Sequence, residues 1–112
     1  MSQITTHVLD TSLGKPAEGL AIALQRKENG VWENLASGRT DADGRIGNLL
    51  LPNETLAAGI YRMEFHTGEY YQALKTRTFY PVVHITFETF DEEHYHVPLL
   101  LNPFGYSTYR GS

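Results

Sequence analysis

Two histidines one residue apart, His94 and His96, head the last nineteen residues, HYHVPLLLNPFGYSTYRGS. In an extended chain alternate side chains share a face, so both imidazoles point the same way. An imidazole of near-neutral pKa accepts a proton from water in one state and donates one in the other. The same spacing suits a pair of metal ligands. Two ligands are not a site, and a third would have to come from elsewhere, with His7 the obvious candidate. The chain has no cysteine, which removes thiolate ligation. The expectation is therefore that no metal is required. Arg45 leaves a tight turn at Asp43-Gly44, and its planar guanidinium is suited to a carbonyl or enolate oxygen of a flat, oxygen-rich ring. Tyr109 offers a ring and a hydroxyl. Ser112 carries a hydroxyl beside the α-carboxylate.

Each of these residues also has a plain structural reading. His7 reads as well as a hydrogen-bonded structural histidine, and His96 and Arg45 as surface side chains. The ordinary fate of a last residue such as Ser112 is disorder, although an end that follows directly on the strand-like GYSTYR is better explained if docked. Arg110 positions that tail or pairs with a carboxylate. His66 and His84 sit in no motif and read as structural or solvent-facing. No Asp-His-Ser arrangement is legible, so a serine nucleophile is not expected.

The elements that must position these groups are mostly short strands. Ile4 to Asp10 is a strand with Ile4, Thr6 and Val8 on one face and Thr5, His7 and Leu9 on the other. Thr11 to Ala17, with Gly14 and Pro16, reads as a loop. Leu20 to Arg26 alternates with Leu20, Ile22 and Leu24 on one side. Asn29-Gly30 then marks a hairpin, because both turn residues need positive φ. Ser37 to Gly47 reads as loop, or loop with a short strand, and Leu49 to Pro52 as a buried connection. Gly59 to His66 sets Tyr61, Met63 and Phe65 against Arg62, Glu64 and His66. Thr67 to Lys75 is the one candidate helix, with Thr67 as N-cap and Tyr70 and Leu74 four apart. Pro81 to Phe90 sets Val83, Ile85 and Phe87 on one face. In the tail, Tyr95, Val97, Leu99 and Leu101 form an apolar face. The opposite face, His94, His96, Pro98 and Leu100, is half apolar, which suits a site or an inter-subunit surface better than bulk water. Seven to eight short alternating strands and one short helix predict an all-β antiparallel sandwich.

At 112 residues one domain, 1–112, is expected. The net charge of −4, with no Lys/Arg run, argues against nucleic acid as a partner. No apolar run is long enough for a membrane span. The N-terminal MSQITTHVLD shows neither the basic nor the apolar region of a secretory signal, so a cytoplasmic location is expected.

Four stretches, read together, resemble one family. Thr6-His7-Val8-Leu9-Asp10, then Thr40-Asp41-Ala42-Asp43-Gly44-Arg45, then HYHVPLLL and the terminal GYSTYRGS occur in the order found in the 5-hydroxyisourate hydrolases, which share the transthyretin fold. The resemblance covers essentially the whole chain. It implies a transthyretin-like sandwich and a homotetramer in which dimers meet across a channel, with the sites there. It implies hydrolysis of 5-hydroxyisourate, a step of urate degradation, to 2-oxo-4-hydroxy-4-carboxy-5-ureidoimidazoline. Water would attack directly, with no acyl-enzyme and no cofactor. His7 and His96 would orient and deprotonate water, Arg45 would hold the oxygen on which charge develops, Tyr109 would bind the ring, and Ser112 would close the site. Transthyretin, a hormone carrier, resembles the chain in fold but lacks the terminal YRGS. A binding module is thus the rival from another class, and a purely structural β-domain would need no clustered polar set. Asn102-Pro103 stands where the family often has Ser-Pro, a loop position that leaves the site residues intact.

Overall fold

The computed structural model describes residues 2–51 and 53–112. Among them the chain forms eight strands and one helix: β1 Ile4–Asp10, β2 Lys15–Pro16, β3 Ala21–Glu28, β4 Val31–Arg39, β5 Gly59–Phe65, α1 Thr67–Ala73, β6 Val83–Thr89, β7 Tyr95–Asn102 and β8 Gly105–Thr108. Two four-stranded sheets result, in the orders β2-β1-β7-β8 and β4-β3-β5-β6. The period-two patterns decide which faces meet. Ile4 and Val8 of β1, Ile22 and Leu24 of β3, Tyr61, Met63 and Phe65 of β5, and Leu99 and Leu101 of β7 are all essentially removed from solvent and join one core. The sandwich is antiparallel except at its centre, where β1 and β7 run parallel with Thr5 opposite His96 and His7 opposite Pro98.

Asn29 and Gly30 take positive φ (52° and 77°), and the β3–β4 hairpin closes there as its sequence requires. Several local expectations give way to tertiary pairing. The stretch read as a loop before Ala17 contains β2, whose two residues pair with Leu9 and Asp10; its proline is tolerated because the strand is an edge. Likewise Ser37 to Arg39 continues β4, since Ser37 and Gly38 keep register with Ala23 and Ile22. Leu49 and Leu50 are buried as expected but Leu51 is exposed, and Pro52 lies outside the described residues.

The helix is one residue displaced in its capping. His66 occupies the N-cap without a side-chain hydrogen bond, and Thr67 is the first helical residue. The Thr67 hydroxyl is spent on the Tyr80 carbonyl instead, 2.5 Å away. Tyr70 and Tyr71, not Tyr70 and Leu74, form the buried side. Tyr70 donates its hydroxyl to Asp10 Oδ2 at 2.8 Å and so pins α1 to the end of β1. Asp10 is fully buried, and its other oxygen accepts from Ser12 N, Ser12 Oγ and Leu13 N. Among the described residues no helix is long and apolar enough to cross a membrane.

Candidate active site

The outward face of β1 and β7 carries Thr5, His7 and His96 on neighbouring strands. The register that sets Thr5 opposite His96 brings the Thr5 hydroxyl to 2.8 Å from His96 Nδ1 and 2.8 Å from His94 Nε2. Two further segments are laid against this face, and each explains one sequence block.

The first is the Thr40–Gly47 connection. Thr40 is buried and anchors it: its hydroxyl donates to the Ala17 carbonyl at 2.7 Å and accepts from Leu20 N at 2.9 Å. Asp41 then closes the turn, accepting at Oδ1 from the backbone N–H groups of Asp43 (2.8 Å) and Arg45 (3.1 Å). Gly44 has φ +75°, and its carbonyl accepts from Val8 N at 2.9 Å. A Cβ at Gly44 would collide with the Val8 carbonyl oxygen. Only glycine allows the turn to lie this close to β1. The next residue, Arg45, is thereby bridged to His7 through the backbone.

The second is the tail after β8. Gly111 N donates to the His96 carbonyl at 2.8 Å. A Cβ on Gly111 would stand 2.5 Å from His96 Cδ2 and 3.2 Å from Pro98 Cγ, so the His96 ring packs on bare backbone. Arg110 fixes the tail, with its guanidinium 4.4 Å above the ring of buried Tyr95.

Between these segments lies a cavity of about 390 Å³ lined by Thr5, Arg45, His94, His96 and Ser112, with Ser2 among the others. His7 does not line it but stands two residues along β1 on the same outward face, opposite Pro98. Burial pushes the His96 imidazole below its ordinary value, and the positive charges of His94, Arg45 and His7 push the same way. His96 is thus held neutral at pH 7, able to take a proton, with Nδ1 engaged by Thr5. Its Nε2 has no hydrogen-bond partner among the described residues.

Of the residues singled out in the sequence, Arg45, His94, His96 and Ser112 therefore line one cavity, with His7 beside it on the same face. Tyr109 does not join them. It is 59% exposed and lines a separate cavity of about 270 Å³ with Phe87 and Arg110, to which His96 also contributes. His66, the helix N-cap just after β5, and His84 on β6 stand 3.1 and 2.9 Å from the two oxygens of Glu64 on β5. The His84 hydrogen bond holds that carboxyl below its usual range, with both imidazoles adding. Among the described residues no three His, Asp or Glu side chains have a metal-holding arrangement. Thr5 is the site residue that sequence reasoning passed over. Its only signal was a place on the same face as His7.

Two sheets of this order, one short helix and a polar, histidine-bearing outer face define a transthyretin-like β-sandwich. The chain belongs to the HIUase/Transthyretin family, whose sequence model matches residues 4–111. A 5-hydroxyisourate hydrolase of Ralstonia nicotianae is 46% identical over 117 residues, covering 100% of both chains. The structure of the Klebsiella pneumoniae 5-hydroxyisourate hydrolase superposes with a TM-score of 0.86 at 38% identity, covering 100% of this chain and 94% of that one. Sea bream transthyretin in complex with thyroxine superposes with a TM-score of 0.91 at 34% identity, covering 98% and 95%.

Proposed function

We propose that this protein is a hydrolase that opens 5-hydroxyisourate with water, in urate degradation, giving 2-oxo-4-hydroxy-4-carboxy-5-ureidoimidazoline. The observation that carries the reading is the convergence of Arg45, His96 and Ser112 on one cavity beside His7. The names of the Ralstonia and Klebsiella relatives support it. The fold does not discriminate, because a thyroxine-binding transthyretin superposes at least as well. What favours chemistry over carriage is a neutral imidazole set next to a guanidinium.

In this reading His96 accepts a proton from the attacking water at Nε2, where no protein partner competes. His7 helps to orient the water. Arg45 faces the carbonyl oxygen and stabilises the charge that gathers there as the carbon becomes tetrahedral. Ser112 closes the cavity. Attack is direct, without a covalent intermediate, and no cofactor takes part. Tyr109 contributes to ring binding across a subunit boundary, in a homotetramer whose sites face the dimer–dimer channel. Its exposure, and that of Phe79, Phe90 and Phe104, supports a partner surface. The whole of 1–112 acts as one domain.

The test is to add freshly generated 5-hydroxyisourate to the purified protein and follow its ultraviolet decay. Decay well above the spontaneous rate is expected. Decay at the buffer rate would put the carrier reading ahead.

A further inference from the structure

The Thr5 hydroxyl contacts two imidazole nitrogens at once, His94 Nε2 and His96 Nδ1, each at 2.8 Å. A threonine hydroxyl has one proton to donate. The oxygen can also accept, so both contacts are hydrogen bonds when at least one facing nitrogen carries a proton; with one proton shared between the two, Thr5 accepts from one ring and donates to the other. The tautomers of the two rings are then linked. When Thr5 donates to His94, His96 must donate from Nδ1, and its Nε2 is a bare base. When Thr5 donates to His96, the His96 proton sits on Nε2 and that nitrogen is an acid. The rings lie nearly parallel, 20° apart with centroids 6.3 Å from each other, while His94 is exposed and His96 is half-buried.

We propose that Thr5 is a positioning residue that ties the tautomer of His96 to that of His94, and that a proton passes through its hydroxyl from His96 to the exposed His94 and back. This deepens the hydrolase reading and rests on it. In the attack half, the water oxygen bonds to the carbonyl carbon and one water O–H bond breaks, its proton going to His96 Nε2. His96 Nδ1 gives its proton to Thr5 Oγ1 as the Thr5 proton moves to His94 Nε2, and His94 releases its Nδ1 proton to solvent. His96 is left neutral with its proton on Nε2. In the cleavage half, that proton goes to the leaving nitrogen as the C–N bond breaks. The relay runs inward, His94 regains a proton from solvent, and all three residues return to their starting state. The carboxylic acid that forms then ionises, so one proton is released overall. Nothing is oxidised or reduced. Burial of His96 and the Arg45 guanidinium on the connection before Ile46 oppose a lasting imidazolium there and favour the outward step, as does any proton on His7 of β1, while His94 takes part as the neutral acceptor.

The experiment has a substrate-free arm and a kinetic arm, on the full-length protein as wild type, Thr5→Val, Thr5→Ser and His94→Asn, each checked for fold by circular dichroism. In the first arm, ring nitrogen-15 shifts of the two histidines are recorded above their titration range. The protonated fractions at His94 Nε2 and His96 Nδ1 are expected to sum to one in wild type and Thr5→Ser, and to depart from that in Thr5→Val. Two protonated or two bare nitrogens in wild type, or no change in Thr5→Val, overturns the coupling. In the second arm, Thr5→Val is expected to lower kcat on the order of tenfold or more with KM little changed. Thr5→Ser should restore most of that loss. His94→Asn should move the acid limb of kcat/KM to higher pH, because a positive neighbour of His96 is gone. Wild-type kcat in Thr5→Val overturns the relay. A wild-type protein that does not hydrolyse 5-hydroxyisourate overturns the preceding reading instead, and the nitrogen shifts still decide the coupling.

Discussion

A guanidinium is worth more than its charge only where two of its N–H groups can face oxygen together. Arg45 leaves a turn whose backbone is tied to Asp41 and to Val8, so its side chain starts from a fixed point at the cavity wall. Arg45→Lys keeps the charge and loses the planar fork. It is expected to cost on the order of tenfold or more in kcat/KM, about 1.4 kcal/mol at least. A near-wild-type Arg45→Lys would make Arg45 a surface charge. With His96 as the base of the proposed mechanism, it sets the pH dependence. Burial first, then the charges of His94, Arg45 and His7, lower its pKa, so the neutral base persists as pH falls past the ordinary imidazole range. The acid limb of kcat/KM should accordingly lie below about 6.5, the unperturbed value. A limb above it would assign the base to another residue. Because the site's imidazoles act as proton carriers in this scheme, exhaustive chelation should leave the rate intact. Activity lost to EDTA and regained with zinc would show His94 and His96 to be ligands instead.

The elements place these side chains through close backbone approaches, and the Thr40–Gly47 connection is the most demanding. Gly44→Ala introduces a Cβ that the Val8 carbonyl already blocks, at a φ of +75°. It should destabilise by about 1–3 kcal/mol through strain and a displaced turn. It should also cut activity, because Arg45 moves with the turn. Equal urea midpoints and equal rates for Gly44→Ala and wild type would mean that the connection is not held against β1. Why this part of the design was legible, and other parts were not, follows from what each depends on. Alternation along β1, β3, β5 and β7 is local and reads directly as a buried face. Asn29-Gly30 reads directly because few other residues tolerate its φ values. Strand direction leaves no mark on such a pattern, so the parallel β1–β7 pair could not be read. The same holds for β2, whose two residues are a strand only because Leu9 and Asp10 pair with them. Thr67 looked like an N-cap because its competing partner, the Tyr80 carbonyl, comes from thirteen residues away. At the site, His7, Arg45, His96 and Ser112 stood out through family blocks, whereas composition alone left each an ordinary residue. Thr5 was invisible for a plainer reason. A threonine on a strand has no chemistry until two imidazoles reach it from 89 and 91 residues away.

At the scale of the whole molecule, one sandwich serves a protein bound to thyroxine and a protein named as a hydrolase, so its stability and its chemistry must be separable. In the proposed reading the outer face of β1 and β7 holds the chemistry. The end where α1 meets β1 holds a buried polar cluster, Asp10 with Tyr70 and Tyr71, none of which lines the site cavity. That cluster makes stability depend on pH at the alkaline end. Burial pushes the Tyr71 hydroxyl up to about 12, and the Asp10 carboxylate pushes the same way. Tyr70 is raised further, by burial and by the hydrogen bond it donates to Asp10. In the unfolded chain both phenols ionise near 10. Above that pH the unfolded state holds fewer protons than the native state, so stability falls as pH rises. The fall continues until the native groups themselves ionise, at about 12 for Tyr71. The slope is at most about 1.4 kcal/mol per pH unit for each tyrosine. Tyr70→Phe separates the two effects. At pH 7 it should be less stable by about 1–3 kcal/mol, because Asp10 Oδ2 loses its donor in a buried site. Above pH 10 its stability should decline less steeply than that of wild type, since one of the two raised phenols is gone, and the curves should converge. Activity at pH 7 should be kept in whatever fraction remains folded, because Tyr70 lies away from the cavity. The measurement is a urea midpoint at pH 7, 10 and 11 for both proteins, with 5-hydroxyisourate decay followed at pH 7. Parallel stability curves for the two proteins would show that Tyr70 ionises alike in the folded and unfolded chain, and the buried cluster would no longer explain any alkaline loss.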